Sequence, residues 1–120
     1  MLSLLMQVLS VNIALATDII TQQQLLQRFN TSPYPLILDV RKSDEFVAAH
    51  IPNAINIPHT ELEHRLSEIL AHKNNEIIIY CESGRRAAIA EEILKQSGFT
   101  NLLHLDGDMK AWRSNNLPTE

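Results

Sequence analysis

The chain has 120 residues, 45% hydrophobic and 20% charged, the size and make-up of one globular domain and unlike a disordered chain. Ten Lys and Arg against 14 Asp and Glu leave a net charge of −4, which argues against a nucleic-acid-binding face, since that needs a basic stripe. A single cysteine excludes an internal disulfide and a thiolate zinc cage.

Residues 1–16, MLSLLMQVLSVNIALA, carry no charged side chain, and Ala14-Leu15-Ala16 fits the small-x-small pattern of a cleaved secretory leader. No Lys or Arg precedes the apolar run, and Gln7, Ser10 and Asn12 dilute it. The stretch is too short and too polar for a stable membrane span. Two readings stay open. A cleaved leader places the protein in a periplasm-like compartment or outside the cell; a mature apolar segment packed on the domain leaves it cytoplasmic.

Beyond residue 17 short β-type runs alternate with helical patterns. Thr21-Gln22-Gln23-Gln24 reads as a capping box opening a short helix with Leu25, Leu26 and Phe29 on one face, ended by Pro33 and Pro35. Leu36-Ile37-Leu38 is a continuous apolar run, as in a strand buried on both faces. Ser43 is expected to cap a brief helix through His50, stopped by Pro52, and Ala54 to Ile57 is a second extended run. Thr60-Glu61-Leu62-Glu63 reads as another capping box, opening a helix that carries Leu62, Leu66, Ile69 and Leu70 on one face. Glu76 to Tyr80 is the strongest strand signal, β-branched and short. Arg85 to Ser97 is a helix whose period is set by Ala88, Ile89, Glu92 and Ile93, with Gly98 as its stop. Leu102 to Leu105 is a further strand, and Asp108 to Arg113 a last helix bearing Trp112. Trp112, Phe46 and Phe99 read as core. Strands separated by helices need crossover connections, so the fold class is α/β with a mostly parallel sheet.

Chemistry concentrates where the best strand meets the best helix, at Tyr80-Cys81-Glu82-Ser83-Gly84-Arg85-Arg86. In open α/β sheets ligands bind beyond the carboxyl ends of strands, and Cys81 sits at such an end. The loop after it runs into a helix N-terminus, whose unpaired N–H groups and positive dipole end suit an anion. Gly84 lets the backbone curl, and Arg85 and Arg86 add two cations, a costly choice in a first helical turn unless a negative partner is present. That field favours a thiolate over a thiol. The residues thus describe an electropositive cup around a nucleophilic sulfur, opposed by the carboxylate of Glu82 unless it turns outward. The five histidines, His50, His59, His64, His72 and His104, form no i, i+4 pair on a helix face, so no metal is expected, and nothing implies a cofactor. His50 reads as a satisfied structural group and the other four as surface residues.

Three blocks over about residues 18–118 resemble the rhodanese-like sulfurtransferases of the single-domain kind. Cys81 to Arg86 resembles that family's Cys-x-x-Gly-x-x loop. Leu38-Asp39-Val40-Arg41, Glu45-Phe46 and His50-Ile51-Pro52-Asn53-Ala54-Ile55-Asn56-Ile57-Pro58 resemble the block ahead of it. Leu105-Asp106-Gly107 with Ala111-Trp112 resembles the closing block, although Asp108 replaces the usual second glycine and Asn53 stands where glycine is common. The resemblance implies one three-layer domain, a central sheet with helices on both faces. It also implies transfer of a sulfane sulfur from thiosulfate or a similar small anionic donor to a nucleophilic or thiol acceptor, cyanide in assay, through a persulfide on Cys81. Backbone N–H groups of residues 82–86 (Glu82, Ser83, Gly84, Arg85, Arg86) would hold the persulfide charge. Arg85 and Arg86 would grip the sulfonate end of the donor, and Asp39 and Arg41 would frame the loop as a structural pair.

Cysteine phosphatases and arsenate reductases share this architecture but want arginine six positions after the nucleophile, where this chain has Ala87. A persulfide carrier or a partner-binding module of the same fold remains alternative to an enzyme, and the oligomeric state is not written in these residues. Export predicts that the intact mass of the natural protein begins at Thr17; a mass that retains Met1 overturns it.

Overall fold

The computed structural model describes residues 17–120, so the leader question of residues 1–16 lies outside the described residues. Five strands, β1 (Asp18–Ile20), β2 (Leu36–Asp39), β3 (Ile55–Asn56), β4 (Ile77–Tyr80) and β5 (Leu102–Leu105), form one sheet in the order β1-β5-β4-β2-β3. Every neighbouring pair is parallel. Three of the four helices lie in the crossovers, α1 (Gln22–Arg28), α2 (Ser43–Ala48) and α3 (Arg85–Gln96), while 3-10 turns connect β3 to β4 and α4 (Asp108–Ser114) follows β5. Among the described residues no helix is long and apolar enough to cross a membrane.

The run Ile77-Ile78-Ile79-Tyr80 is central because it is apolar on both faces. Ile77 and Ile79 pack with Ala87, Ala90 and Leu94 of α3, while Ile78 and Tyr80 pack with Leu25, Met109 and Trp112 of α1 and α4. Strand side chains alternate between faces, so one apolar run fills two cores. Parallel pairing also sends the chain out of β2, β4 and β5 at the same edge of the sheet. Arg41, Cys81 and Asp108 lie just beyond those three exits, and the site is built there.

Three expected elements and one expected core residue differ in detail. The 60–70 segment forms three successive 3-10 turns, Leu62–His64, Leu66–Glu68 and Leu70–His72, and no capping box at Thr60. The turns meet at Arg65 and Ile69, both near the bridge region of backbone space, and the Arg65 guanidinium is held by Glu68 at 2.6 Å and Glu61 at 3.4 Å. Burial of Leu62 and Ile69 against the sheet decides the path, and Leu70 is left 55% exposed. Helix α2 starts at Ser43 itself, with Lys42 in the capping place and no side-chain cap. It ends before His50 because His50 and Glu120 exchange two backbone hydrogen bonds, of 3.0 and 2.9 Å. Helix α3 buries Ala87, Ala90, Glu91 and Leu94, the side opposite the expected face, and leaves Ala88, Ile89 and Glu92 exposed, since two alanines allow it to close on the sheet. Of the three expected core aromatics, Trp112 and Phe99 are buried, whereas Phe46 is half-buried and stacked on His50.

The α1 capping box is present as read: Thr21 Oγ1 accepts from the Gln24 N–H and Gln24 Oε1 from the Thr21 N–H. Substituting Thr21→Ala is therefore expected to cost about 1 kcal/mol in urea denaturation. Thr60→Ala, at a box that does not form, is expected to change stability by less than about 0.5 kcal/mol.

Candidate active site

Cys81 follows β4 directly, and Gly84 turns the chain into α3 with φ +107°, a conformation that a side chain would strain. Gly84 has no side chain to cap α3, and the cysteine sulfur takes that place. Sγ accepts the Gly84 N–H at 3.0 Å and the Ala87 N–H at 3.3 Å. The first helical N–H with a backbone acceptor is that of Ala88, bonded to the Gly84 carbonyl. Among the described residues, the N–H groups of Glu82, Ser83, Arg85 and Arg86 have no acceptor within the protein. Ala87 lies outside the expected N–H range; counting orphan donors three residues into the helix would have found it.

Over the sulfur lies an open cleft of about 390 Å³ lined by His59, Cys81, Ser83, Arg85, Arg86 and Ile89. Cys81 itself is 1% exposed, so the thiol sits at the floor. The two arginines are not equivalent. Arg86 is clamped by Glu45 of α2 through bonds of 2.6 and 3.0 Å, whereas Arg85 is exposed and, among the described residues, forms no ion pair. Glu82 does not oppose an anion in the cleft. Its carboxylate is held by Arg113 at 2.9 and 3.2 Å and stands 3.7 Å from Arg41, and the Arg113 hydrogen bond keeps it below the usual carboxylate range. Sequence reading missed Glu45 and Arg113, because each lies on a different element from its partner.

Asp39 and Arg41 form a buried pair at 2.8 Å, and Arg41 also donates to the Ala49 carbonyl at 2.6 Å. Neither lines the cleft. The pair stands behind the loop, with Arg41 over the Tyr80 ring and facing Glu82. A second cleft of about 500 Å³ lies along α1 and β5, but its only two charged groups, Arg28 and Glu76, are bonded to each other at 2.5 and 3.0 Å.

Two histidines expected at the surface belong to this region. His59 lines the cleft. His104 lies beneath the loop, its Nε2 at 3.0 Å from Asp108 Oδ2 and its Nδ1 at 2.7 Å from Glu91 Oε2. Two carboxylates require an N–H from each ring nitrogen, hence an imidazolium, and their bonds (Asp108 first, then Glu91) push its pKa up to about 10. His50 is the satisfied structural group expected: its Nδ1 is 2.8 Å from the Phe46 carbonyl.

Among the described residues, this parallel α/β domain presents one cysteine on a helix-capping loop, among N–H groups without a protein acceptor and beside an arginine that forms no ion pair, and is a domain organised around a single cysteine loop. The chain belongs to the rhodanese-like domain family, which it matches over residues 21–115, and this is a family of sulfurtransferases. It is 34% identical over 99 residues to a sulfurtransferase of Allochromatium vinosum, covering 82% of this chain and 91% of that one. With YrkF of Bacillus subtilis, named as a candidate sulfur carrier protein, it shares 41% identity over 76 residues, covering 63% of this chain and 40% of that one. The chain thus spans less than half the length of the Bacillus relative. Among solved structures, the rhodanese-related protein of Thermoplasma volcanium superposes with a TM-score of 0.73 at 27% identity, covering 86% of this chain and 97% of that one.

Raising the His104 pKa from 6.5 to about 10 on folding means the folded state binds that proton more tightly than the unfolded chain. The stabilisation is fully present below pH about 6.5 and is lost as pH rises through about 10. Chemical denaturation between pH 6.5 and 10 is expected to show falling stability, and His104→Gln is expected to flatten that slope.

Proposed function

We propose that the protein is a thiosulfate-type sulfurtransferase working through a persulfide on Cys81. In the first half-reaction the Cys81 thiolate attacks the outer sulfur of thiosulfate. A new S–S bond forms, the donor S–S bond breaks, and sulfite departs with its electron pair. In the second, a nucleophile attacks the outer sulfur of the persulfide and the electron pair returns to Sγ; cyanide leaves as thiocyanate, and a thiol leaves as a persulfide. With one cysteine in the chain, no internal thiol can accept the sulfur, so it passes to another molecule.

The observation that carries this reading is the capping of α3 by Sγ beside N–H groups that have no protein acceptor. Those donors supply fixed dipoles where the persulfide charge would sit, and they cost no reorganisation as it forms. Arg85, free of carboxylates, is the group to grip the sulfonate end; Arg86, tied to Glu45, is the group to hold the loop's outer wall. The sixth residue after Cys81 offers a backbone N–H to Sγ and not a guanidinium, which speaks against phosphate monoesters. A second reading, a carrier that hands sulfur to a protein thiol, is favoured by Ile89, an apolar side chain 45% exposed on the rim of the cleft.

Intact mass after brief thiosulfate treatment tests the chemistry: the wild type is expected to gain one sulfur and lose it to cyanide as thiocyanate, and Cys81→Ser to gain none. Absence of the adduct in the wild type would falsify the persulfide route. Loading that cyanide cannot discharge, but a protein thiol can, would select the carrier reading. Arg85→Ala is expected to raise KM for thiosulfate by about tenfold, the value of one charge-assisted contact, with kcat little changed. Initial-rate kinetics check it.

A further inference from the structure

Asp108 stands where the resemblance expects glycine, and it keeps a glycine-like backbone, φ +55°. A side chain there is a poor choice for helix α4 as such, yet this one is 3% exposed and both its oxygens are used. Oδ1 accepts the backbone N–H of Cys81 at 3.0 Å. Oδ2 takes Nε2 of His104, whose other nitrogen is held by Glu91 of α3. The next residue completes the grip, the Met109 N–H donating to the Cys81 carbonyl at 2.9 Å, and the Lys110 N–H donates to the Glu82 carbonyl at 3.0 Å. Both backbone groups of the nucleophile are therefore held by α4. Gly84 rests on the same cluster: a Cβ there would lie 3.2 Å from Asp108 Oδ2 and 3.8 Å from the His104 ring.

We propose that Asp108 is a positioning residue for the Cys81 nucleophile, its carboxylate anchoring the Cys81 amide to a Glu91–His104–Asp108 brace so that the Gly84 and Ala87 N–H groups stay converged on Sγ. The inference rests on the sulfur-transfer reading for its role in turnover, but not for the geometry it asserts. The brace links three elements, α3, β5 and α4, across the underside of a loop whose own residues are short of internal bonds. Without it, the Cys81 amide loses its acceptor, and one of the two donors that fix Sγ belongs to Gly84, the residue with the greatest backbone freedom.

The test compares Asp108→Asn with Asp108→Gly. Both remove the negative charge, and both residues tolerate a left-handed backbone, so strain and electrostatics cancel between them. Only asparagine keeps an oxygen for the Cys81 N–H. Because the chain has one cysteine, thiolate absorbance near 240 nm, followed across pH, reports Cys81 alone below the range where tyrosines ionise. The Asn variant is expected to keep the wild-type profile within about twofold. The Gly variant is expected to show about tenfold less thiolate than the Asn variant at a given pH on the rising limb, the effect of losing hydrogen bonds to a charged sulfur. Its rate of sulfur loading from thiosulfate is expected to fall likewise, with KM unchanged. Unfolded protein would add a second transition near the free-thiol pKa of about 8.5, so the folded fraction is fixed by circular dichroism and only the folded component is compared. Superimposable Gly and Asn profiles overturn the proposal. Should Asp108→Gly fail to fold, Asp108→Ser takes its place, with a shorter side chain that falls short of the amide, and the same two outcomes decide. The absorbance needs no sulfur donor, so a wild type that fails to load sulfur refutes the sulfur-transfer reading and leaves this comparison intact.

Discussion

The first turn of α3 needs acceptors, and the Cys81 sulfur serves as one. Every α-helix begins with N–H groups that its own carbonyls cannot satisfy. Most proteins meet that need with a serine, threonine or aspartate side chain at the cap. Here the capping residue is Gly84, and the Cys81 sulfur, three residues earlier, accepts from Gly84 and Ala87. The arrangement gives α3 an acceptor and gives the sulfur its dipoles. It also explains why the cysteine must sit at the end of a central parallel strand. Only there does the loop double back onto the start of the next helix with both cores already filled beneath it.

Around that contact the charges are sorted by partner. Glu82 is neutralised by Arg113 and Arg41, Arg86 by Glu45, and Asp39 by Arg41. His104 lies between two carboxylates. Exposed ion pairs contribute little stability, but pairs with partly buried partners decide which charges face a ligand. A chain with net charge −4 thus has a cleft in which, among the described residues, Arg86 is tied to a carboxylate and Arg85 forms no ion pair. Local pairing, not overall composition, sets the field at the sulfur.

The strands and the loop were legible because their signals are contiguous. A β-branched run, a cysteine, a glycine and two arginines lie within eleven residues, and each carries its meaning locally. The mutual arrangement of the loop's partners was not legible. Glu45, Arg113 and Asp108 meet the loop from 41, 31 and 27 residues away in the chain, and nothing in their own surroundings announces the meeting. Asp108 showed only as a departure from glycine, and His104 as one more surface histidine. The 60–70 segment failed for another reason. Its spacing fits a helix as well as successive tight turns, and burial of Leu62 and Ile69 against the sheet, a tertiary demand, broke the tie.

The depth of the sulfur has a further meaning. A small protein with one thiol on its surface drifts under air toward a covalent pair of chains, since susceptibility follows exposure. With Cys81 1% exposed, two copies cannot bring their sulfurs to the ~2.05 Å of a disulfide unless both loops open first. The second sulfur of the proposed persulfide, by contrast, would extend one bond length beyond Sγ, which lines the floor of the cleft. On the proposed route, the empty protein would conceal its reactive atom and the loaded protein would display its sulfur. One recess would thereby separate those two forms of the same chain by what the surroundings can touch.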